Sequence, residues 1–397
     1  MSTGASRPHV LIVGGGGTGG ALAHDLTLRG VRVSLVERGE LTSGTTGRHH
    51  GLLHSGARYA VNDQESAVEC IEENMILRRI CPGTFEENDG LFVAITDEDM
   101  GYYDDFVRGC KECGIPIQEL SPDEALRLEP LLNPSLKAAV RVPDGTMDAM
   151  RMPMRFFATA QHNGATLYNY MEVLDLIVEQ GTVKGAVLRD HVTETEGDLR
   201  ADLVVNATGP WSEQIATMAG VDVPIRPSPG VLLALHGRLC NMVINRMHRS
   251  GDGDIVVPQR ALSVVGTSSW TVDDPDDLDV PEDHVARMFE EGTKLIPAVA
   301  EAPFRAAWSA ARPLIGSKEA DSGRELSRTF KTIDHAEDGV QGFVTITGGK
   351  ATTLRGMAEL CGNVVCEKLG VDAQSTTRDI VTLPHTAYYV EAERRLA

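Results

Sequence analysis

Short apolar runs, each closed by glycine, set the pattern of this chain. Residues 8–13 read PHVLIV, a run that suits a buried parallel strand. A glycine cluster, Gly14 to Gly17 with Gly19, follows at once. Residues 21–28 carry small and apolar side chains suited to a helix packed on a sheet, and Gly30 ends it as a C-cap. Residues 31–36 are β-rich and run into Glu37. Two later segments repeat the strand–glycine–helix order. Residues 203–211 read LVVNATGPW, with a helix expected from Pro210. Residues 343–353 read FVTITGGKATT, with Gly348-Gly349 at the turn and a helix expected over 350–369.

Between these junctions the periodicity predicts helices at 64–80, 97–113 and 122–128 and a strand at 91–95. It further predicts strands at 230–235, 255–257 and 262–266, a helix at 281–295, and a strand entering Arg312. Residues 273–279 are acidic and contain proline, which reads as a solvated loop. The end of the chain, 382–397, carries a charged helical segment, EAERR, expected to dock on this chain or on a partner. No apolar run approaches the roughly 18 residues a membrane span needs. No basic segment with a long apolar core opens the chain, so no export signal is expected. Both readings favour a cytoplasmic protein.

Composition narrows the function classes. The chain has 397 residues, 42% hydrophobic and 24% charged, which is ordinary for a globular protein. The net charge of −20 argues against general nucleic-acid binding, so an anionic substrate needs a local cluster of Arg and Lys. Seven scattered cysteines read as reduced thiols. Cys110-x-x-Cys113 lies at the end of a predicted helix with no second pair at zinc spacing, so no metal site is expected.

Gly14, Gly16 and Gly19 fit G-x-G-x-x-G between a strand and a helix. The first glycine makes the tight turn, the second lets backbone approach a pyrophosphate, and the third allows close helix–strand packing. The helix N-terminus offers N–H groups to the phosphates. Glu37, 23 positions after Gly14, stands where an acid accepts bonds from an adenosine ribose. This combination points to a dinucleotide. The junctions at Gly209 and at Gly348-Gly349 favour FAD, since a helix start there stabilises negative charge on a reduced flavin.

A larger set of motifs appears in order: Gly14–Gly19, Glu37, TSGTT at 42–46, GLLHSGARY at 51–59, Ala207-Thr208-Gly209, ARPL at 311–314 and TITGGK at 345–350. Together they resemble the FAD-dependent glycerol-3-phosphate dehydrogenases of the D-amino-acid-oxidase-like superfamily, and among them the anaerobic catalytic subunits. The resemblance implies an α/β fold: a Rossmann-like FAD-binding domain (1–60, 150–225, 325–375) with a discontinuous antiparallel-sheet substrate domain (61–149, 226–324) and a tail at 376–397. It implies non-covalent FAD, held by Gly14, Gly16, Gly19, Glu37, Arg38, Thr45, Thr46, His50, Gly51, Leu53, Gly209, Gly348, Gly349 and Lys350. It implies oxidation of the secondary alcohol of sn-glycerol 3-phosphate to dihydroxyacetone phosphate. Arg58, Tyr59, Arg312, Arg328 and Lys350 match positions that bind substrate or its phosphate. Among them Arg312 and Lys350, with His54, stand as the catalytic candidates; His50 and His49 adjoin.

Two departures are visible. The family continues into a cysteine-bearing C-terminal region that this sequence does not carry. That leaves a quinone, a partner redox subunit or oxygen as electron acceptor, and allows peripheral contact with the inner face of the cell membrane. Pro229-Gly230 stands where the family has Lys-Gly, which admits another small phosphorylated or phosphonate-bearing alcohol as substrate, with an oxygen-using oxidase as one form of that reading. A non-catalytic flavoprotein subunit is the third reading.

Overall fold

The computed structural model describes residues 7–249, 251–316 and 329–390. Within them His9–Val13 is a fully buried strand, as its unbroken apolar run requires. It lies between Arg32–Val36 and Leu203–Asn206, with all three parallel. The sheet extends to Thr166–Tyr168 beyond Arg32–Val36, and to Phe343–Gly348 and an antiparallel Phe330–Asp334 on the other side, making six strands. Val13 registers with both Val36 and Asn206. The turns that follow these strands, and the Gly348-Gly349 turn, therefore open on one carboxyl edge. The chain reverses its strand order at His9–Val13, the place where open α/β sheets bind ligands.

One face of this sheet carries the helices Gly17–Leu28, Arg151–His162 and Leu354–Leu369 over a core of Leu22, Leu26, Phe156, Phe157 and Met357. The other face is covered by an antiparallel meander, Met171–Glu179, Thr182–Asp190 and Thr195–Arg200, whose Val173, Leu176, Val183 and Leu188 join its core. The sequence pattern predicts no strands there.

The strands predicted in 61–149 and in 226–324 meet in one eight-stranded sheet. Its pairs are antiparallel except Val243–Arg246 with Gly90–Ala94, which run parallel. Period-two alternation divides the second of these strands. Leu91 and Val93 face the core under helix Glu282–Leu295, while Phe92 and Ala94 pack with Phe106 and Cys110 of helix Asp97–Glu112. The helix starts are those that local chemistry dictates. Asp63 accepts the Ser66 N–H, and Thr96/Asp99 and Ser121/Glu124 form reciprocal capping boxes.

All seven cysteines are buried and unbridged. Burial pushes the Cys110 thiol up to about 12 and raises Cys113 as well, so neither has the character of a reactive thiolate. Residues 371–390 dock on this chain. Ser375 Oγ donates to Asp25 Oδ1 (2.6 Å), Arg155 Nε to Thr382 Oγ1 (2.9 Å) and the Leu383 N–H to Thr159 Oγ1 (2.9 Å). The EAERR segment lies outside the described residues. Among the described residues no helix is long and apolar enough to cross a membrane.

Candidate active site

A cavity of about 690 Å³ runs along the carboxyl edge of the parallel sheet. Gly14 and Gly16 line it at the first turn. A Cβ on Gly14, which sits at φ 110°, would stand 2.7 Å from the Ala207 carbonyl oxygen. One on Gly19, which packs beneath the turn, would stand 2.0 Å from the Gly14 oxygen. Glycine is thus required where helix and strand close on each other. The start of helix Gly17–Leu28 has no side-chain cap from Gly16, so it presents backbone donors to the cavity edge. Thr46 Oγ1 accepts one of them, the Gly17 N–H, at 3.0 Å. Glu37 closes the loop by accepting the N–H groups of Gly15 (2.7 Å) and Gly39 (2.9 Å), and its two oxygens retain lone pairs for ribose hydroxyls. Gly-rich turn, helix start, acid and elongated cavity fit FAD. Arg38, Gly209, Gly348, Gly349 and Lys350 line the same cavity.

The hydroxyl- and histidine-rich loop forms another wall. Thr45 Oγ1 donates to the Ala311 carbonyl (2.6 Å), tying this loop to the segment that carries Arg312. The Gly51 N–H donates to His49 Nδ1 (2.9 Å) and the Leu52 N–H to His50 Nδ1 (3.1 Å), which fixes both rings. Burial holds His49 at about 4, so this ring is neutral at ordinary pH. Gly51 does not line the cavity; it packs against Gln259, whose Nε2 donates to the His50 carbonyl (2.9 Å). Leu52 faces the cavity and Leu53 packs into the core beneath. The rings of His50 and His54 stand 6.1 Å apart and those of His54 and Tyr59 5.6 Å. Lys350 Nζ lies 4.8 Å from the Tyr59 ring centre.

A second cavity of about 100 Å³ shares Thr45, His49, His50, His54, Tyr59 and Arg312 with the first and contains none of the dinucleotide turn. Arg312 begins the strand Arg312–Ile315, paired with Ile225–Ser228; it does not end the preceding one. Its guanidinium is fixed by the end of its partner strand and by the segments that enter and leave the eight-stranded sheet. Nη1 donates to the carbonyls of Ser228 (3.2 Å) and Pro229 (3.4 Å), and Nη2 to Thr267 Oγ1 and the Ser268 carbonyl (3.0 Å). Pro229 therefore borders this arginine directly. Arg58 also lines the smaller cavity but is ion-paired to Asp254 Oδ2, with side chains 10% and 2% exposed. Burial alone would lower Arg58, and Asp254 more than offsets it, so the guanidinium stays charged. Asp254 also accepts the Gly251 N–H (2.8 Å). Arg328 lies outside the described residues.

Several lining groups are not legible in the sequence. Met171, Glu172 and Val173 enter from the meander, Trp211 follows Gly209, and Asp276 and Leu278 arrive from the acidic loop that reads as solvated. Asp254 is a further one. Apart from Trp211, which follows the Gly209 junction, none belongs to a local motif, and each reaches the site through a contact distant in sequence.

Comparison with known proteins identifies the family. The family model described as FAD dependent oxidoreductase, DAO, matches residues 9–360. One subunit of the anaerobic glycerol-3-phosphate dehydrogenase of Escherichia coli strain K12 is 44% identical over 374 residues, 94% of this chain and 69% of that protein. The FAD complex of a glycerol-3-phosphate dehydrogenase from Bacillus halodurans superposes with a TM-score of 0.75 at 23% identity, over 98% of this chain and 72% of that one. L-alpha-glycerophosphate oxidase from Mycoplasma pneumoniae, with FAD bound, superposes at 0.74 and 18% identity, over 96% of this chain and 100% of that one. The last two likenesses concern the fold. The chain belongs to the DAO family of FAD-dependent oxidoreductases.

Proposed function

We propose that the chain oxidises the C2 hydroxyl of sn-glycerol 3-phosphate to dihydroxyacetone phosphate. The observation that carries this reading is Arg312 standing with His54 and Tyr59 on the wall the two cavities share, with Lys350 over the Tyr59 ring in the larger cavity and Arg58 lining the smaller one. In a chain this acidic, Arg312 and Lys350 at adjoining cavities, with Arg58 held in place by Asp254, supply the local positive charge an anionic substrate needs. The 44% identity to the E. coli dehydrogenase supports the same substrate.

The glycine turn, Glu37 and the Gly348-Gly349 turn would hold FAD, which when bound would supply the hydride acceptor. The substrate loses the C2 hydrogen as hydride and the O2 hydrogen as a proton, and the C2–O bond becomes a carbonyl. Lys350 and Arg58 hold the phosphate. His54 takes the O2 proton; an imidazole titrates in the range this needs. Arg312, already fixed by the carbonyls of Ser228 and Ser268, offsets the charge that develops on O2 without reorganising. The electrons then pass to a partner redox protein, a reading supported by the E. coli relative's belonging to a multi-subunit enzyme.

The test is anaerobic reduction of the purified flavoprotein by a panel of small phosphorylated alcohols. The reading requires glycerol 3-phosphate to bleach the flavin fastest. Pro229 beside Arg312 supports one other reading, a phosphonate-bearing or differently phosphorylated alcohol, and faster bleaching by such a compound would establish it. Turnover with oxygen, quinone analogue or artificial dye then separates the acceptors.

A further inference from the structure

The acidic loop at residues 273–279 leaves the eight-stranded sheet and crosses to the far end of the large cavity. It is anchored at both ends: the Val272 N–H donates to the Pro227 carbonyl (3.1 Å), and Ser309 Oγ donates to the Leu278 carbonyl (2.6 Å). Inside, the Asp276 N–H bonds Asp274 Oδ1 (2.9 Å) and the Asp277 N–H bonds the Asp274 carbonyl (3.0 Å), making a tight turn with Asp276 at its tip. That tip grips Arg38 in a two-bond fork, Oδ1 to Nη2 at 2.7 Å and Oδ2 to Nη1 at 3.3 Å. The Arg38 guanidinium carbon lies 4.6 Å from the centre of the Trp211 ring. Arg38, Trp211, Asp276 and Leu278 all line the cavity that Glu37 closes.

Three segments remote in sequence, 37–38, 209–211 and 273–279, thus meet on one rim. Two belong to the parallel-sheet side and carry the dinucleotide motif. The third belongs to the other sheet. Arg38 offsets the charge that the anchored loop brings to this rim. We propose that Asp276 closes a clasp over the Glu37 end of the FAD site, through Arg38 stacked on Trp211, and that this clasp retains the cofactor.

The physical expectation is kinetic. Side chains of Arg38 and Asp276 are 45% and 49% exposed, so the pair is screened and contributes little to folding. It must nevertheless open before a molecule as long as FAD leaves, and opening also gives up the stacking of Arg38 on Trp211. Burial works against the Asp276 charge, but Arg38 and Trp211 hold its carboxyl below the ordinary range, so the clasp stays closed near neutral pH. The proposal needs the cofactor and is independent of which alcohol the enzyme oxidises.

The experiment follows FAD release from the holoprotein by recovery of flavin fluorescence after dilution. Asp276→Ala and Asp276→Asn should release FAD about three- to tenfold faster than wild type. High salt should speed release from wild type to a similar extent and leave the variants unchanged. The exchange pair Arg38→Asp with Asp276→Arg should release more slowly than Arg38→Asp alone. Release within about 1.5-fold of wild type in both Asp276 variants, or no salt effect on wild type, would overturn the clasp.

Discussion

A Cβ placed on Gly230 would stand 2.3 Å from Nη2 of Arg312 and 2.4 Å from the Ser268 carbonyl oxygen. The arginine tip can move, but the carbonyl belongs to the buried Ser268, two residues past strand Leu262–Gly266, and cannot easily do so. Gly230 therefore keeps a seat open for Arg312. Gly230→Ala should displace the guanidinium and slow anaerobic flavin reduction by about tenfold or more, since misplacement near 1 Å carries such costs. FAD content should stay at the wild-type level, because the glycine turn at residues 14–19 is remote. Stopped-flow reduction at saturating substrate, normalised to bound FAD, checks this.

Arg58 and Asp254 form a pair too buried to lose one partner cheaply. Asp254→Ala removes the ion-pair partner of a buried guanidinium, at a cost of about 3–5 kcal/mol. The midpoint of denaturant unfolding of the holoprotein should fall clearly. Asp254→Glu, which keeps the charge, should recover part of the loss. An unchanged midpoint in Asp254→Ala would show that the pair does not form.

How far this site is legible in the sequence depends on the range of each contact. Gly14, Gly16, Gly19 and Glu37 form one continuous strand–turn–helix–strand unit, so their spacing discloses their partners. The helix starting at Gln64 is legible for the same reason, with its Asp63 cap three residues from the N–H it accepts. Asp276 and Arg38 are 238 positions apart, and Asp254 and Arg58 are 196 apart; nothing local marks either acid. Leu52 and Leu53 show another limit. In a strand of period two, a shift of one residue exchanges the cavity side for the core side, and a two-residue strand offers no pattern to fix it. The meander at 171–200 escapes prediction because its first strand is interrupted by register shifts that break its alternation.

His24 makes stability pH-dependent. Its ring is buried against Phe156 with neither nitrogen bonded among the described residues, and burial lowers it from 6.5 to about 4. The folded value lies below the unfolded one, so the unfolded chain binds the proton first. The contribution is absent above pH 6.5 and grows as pH falls toward 4. Converted at 1.36 kcal/mol per unit, it reaches about 2 kcal/mol of destabilisation near pH 5. His24→Leu should reduce the difference in unfolding free energy between pH 7.5 and pH 5 by about that amount. An equal difference in variant and wild type would contradict it.

FAD is expected to be non-covalent. His49 and His50 each accept a backbone N–H through Nδ1, which orients both rings within the loop. Acid precipitation of the holoprotein should leave the yellow colour in the supernatant. A yellow pellet would indicate a histidyl link, and the pellet's peptides would identify which ring carries it.

Arg312 offers the most direct test. Four oxygen atoms, of Ser228 on its partner strand and of Pro229, Thr267 and Ser268 beyond it, hold its guanidinium at the wall shared by the two cavities. Removing a preorganised donor of this kind costs about 3–4 kcal/mol, or roughly 100- to 1000-fold in rate. Arg312→Lys keeps the charge but loses the planar fork those acceptors require, so it should also fail. The measurement is the rate of anaerobic flavin reduction by glycerol 3-phosphate per bound FAD, in wild type, Arg312→Ala and Arg312→Lys. The predicted result is a loss of about 100-fold or more in Arg312→Ala and a large loss in Arg312→Lys, with flavin content preserved in both. Rates within about threefold of wild type, under roughly 0.7 kcal/mol, would place the active site elsewhere.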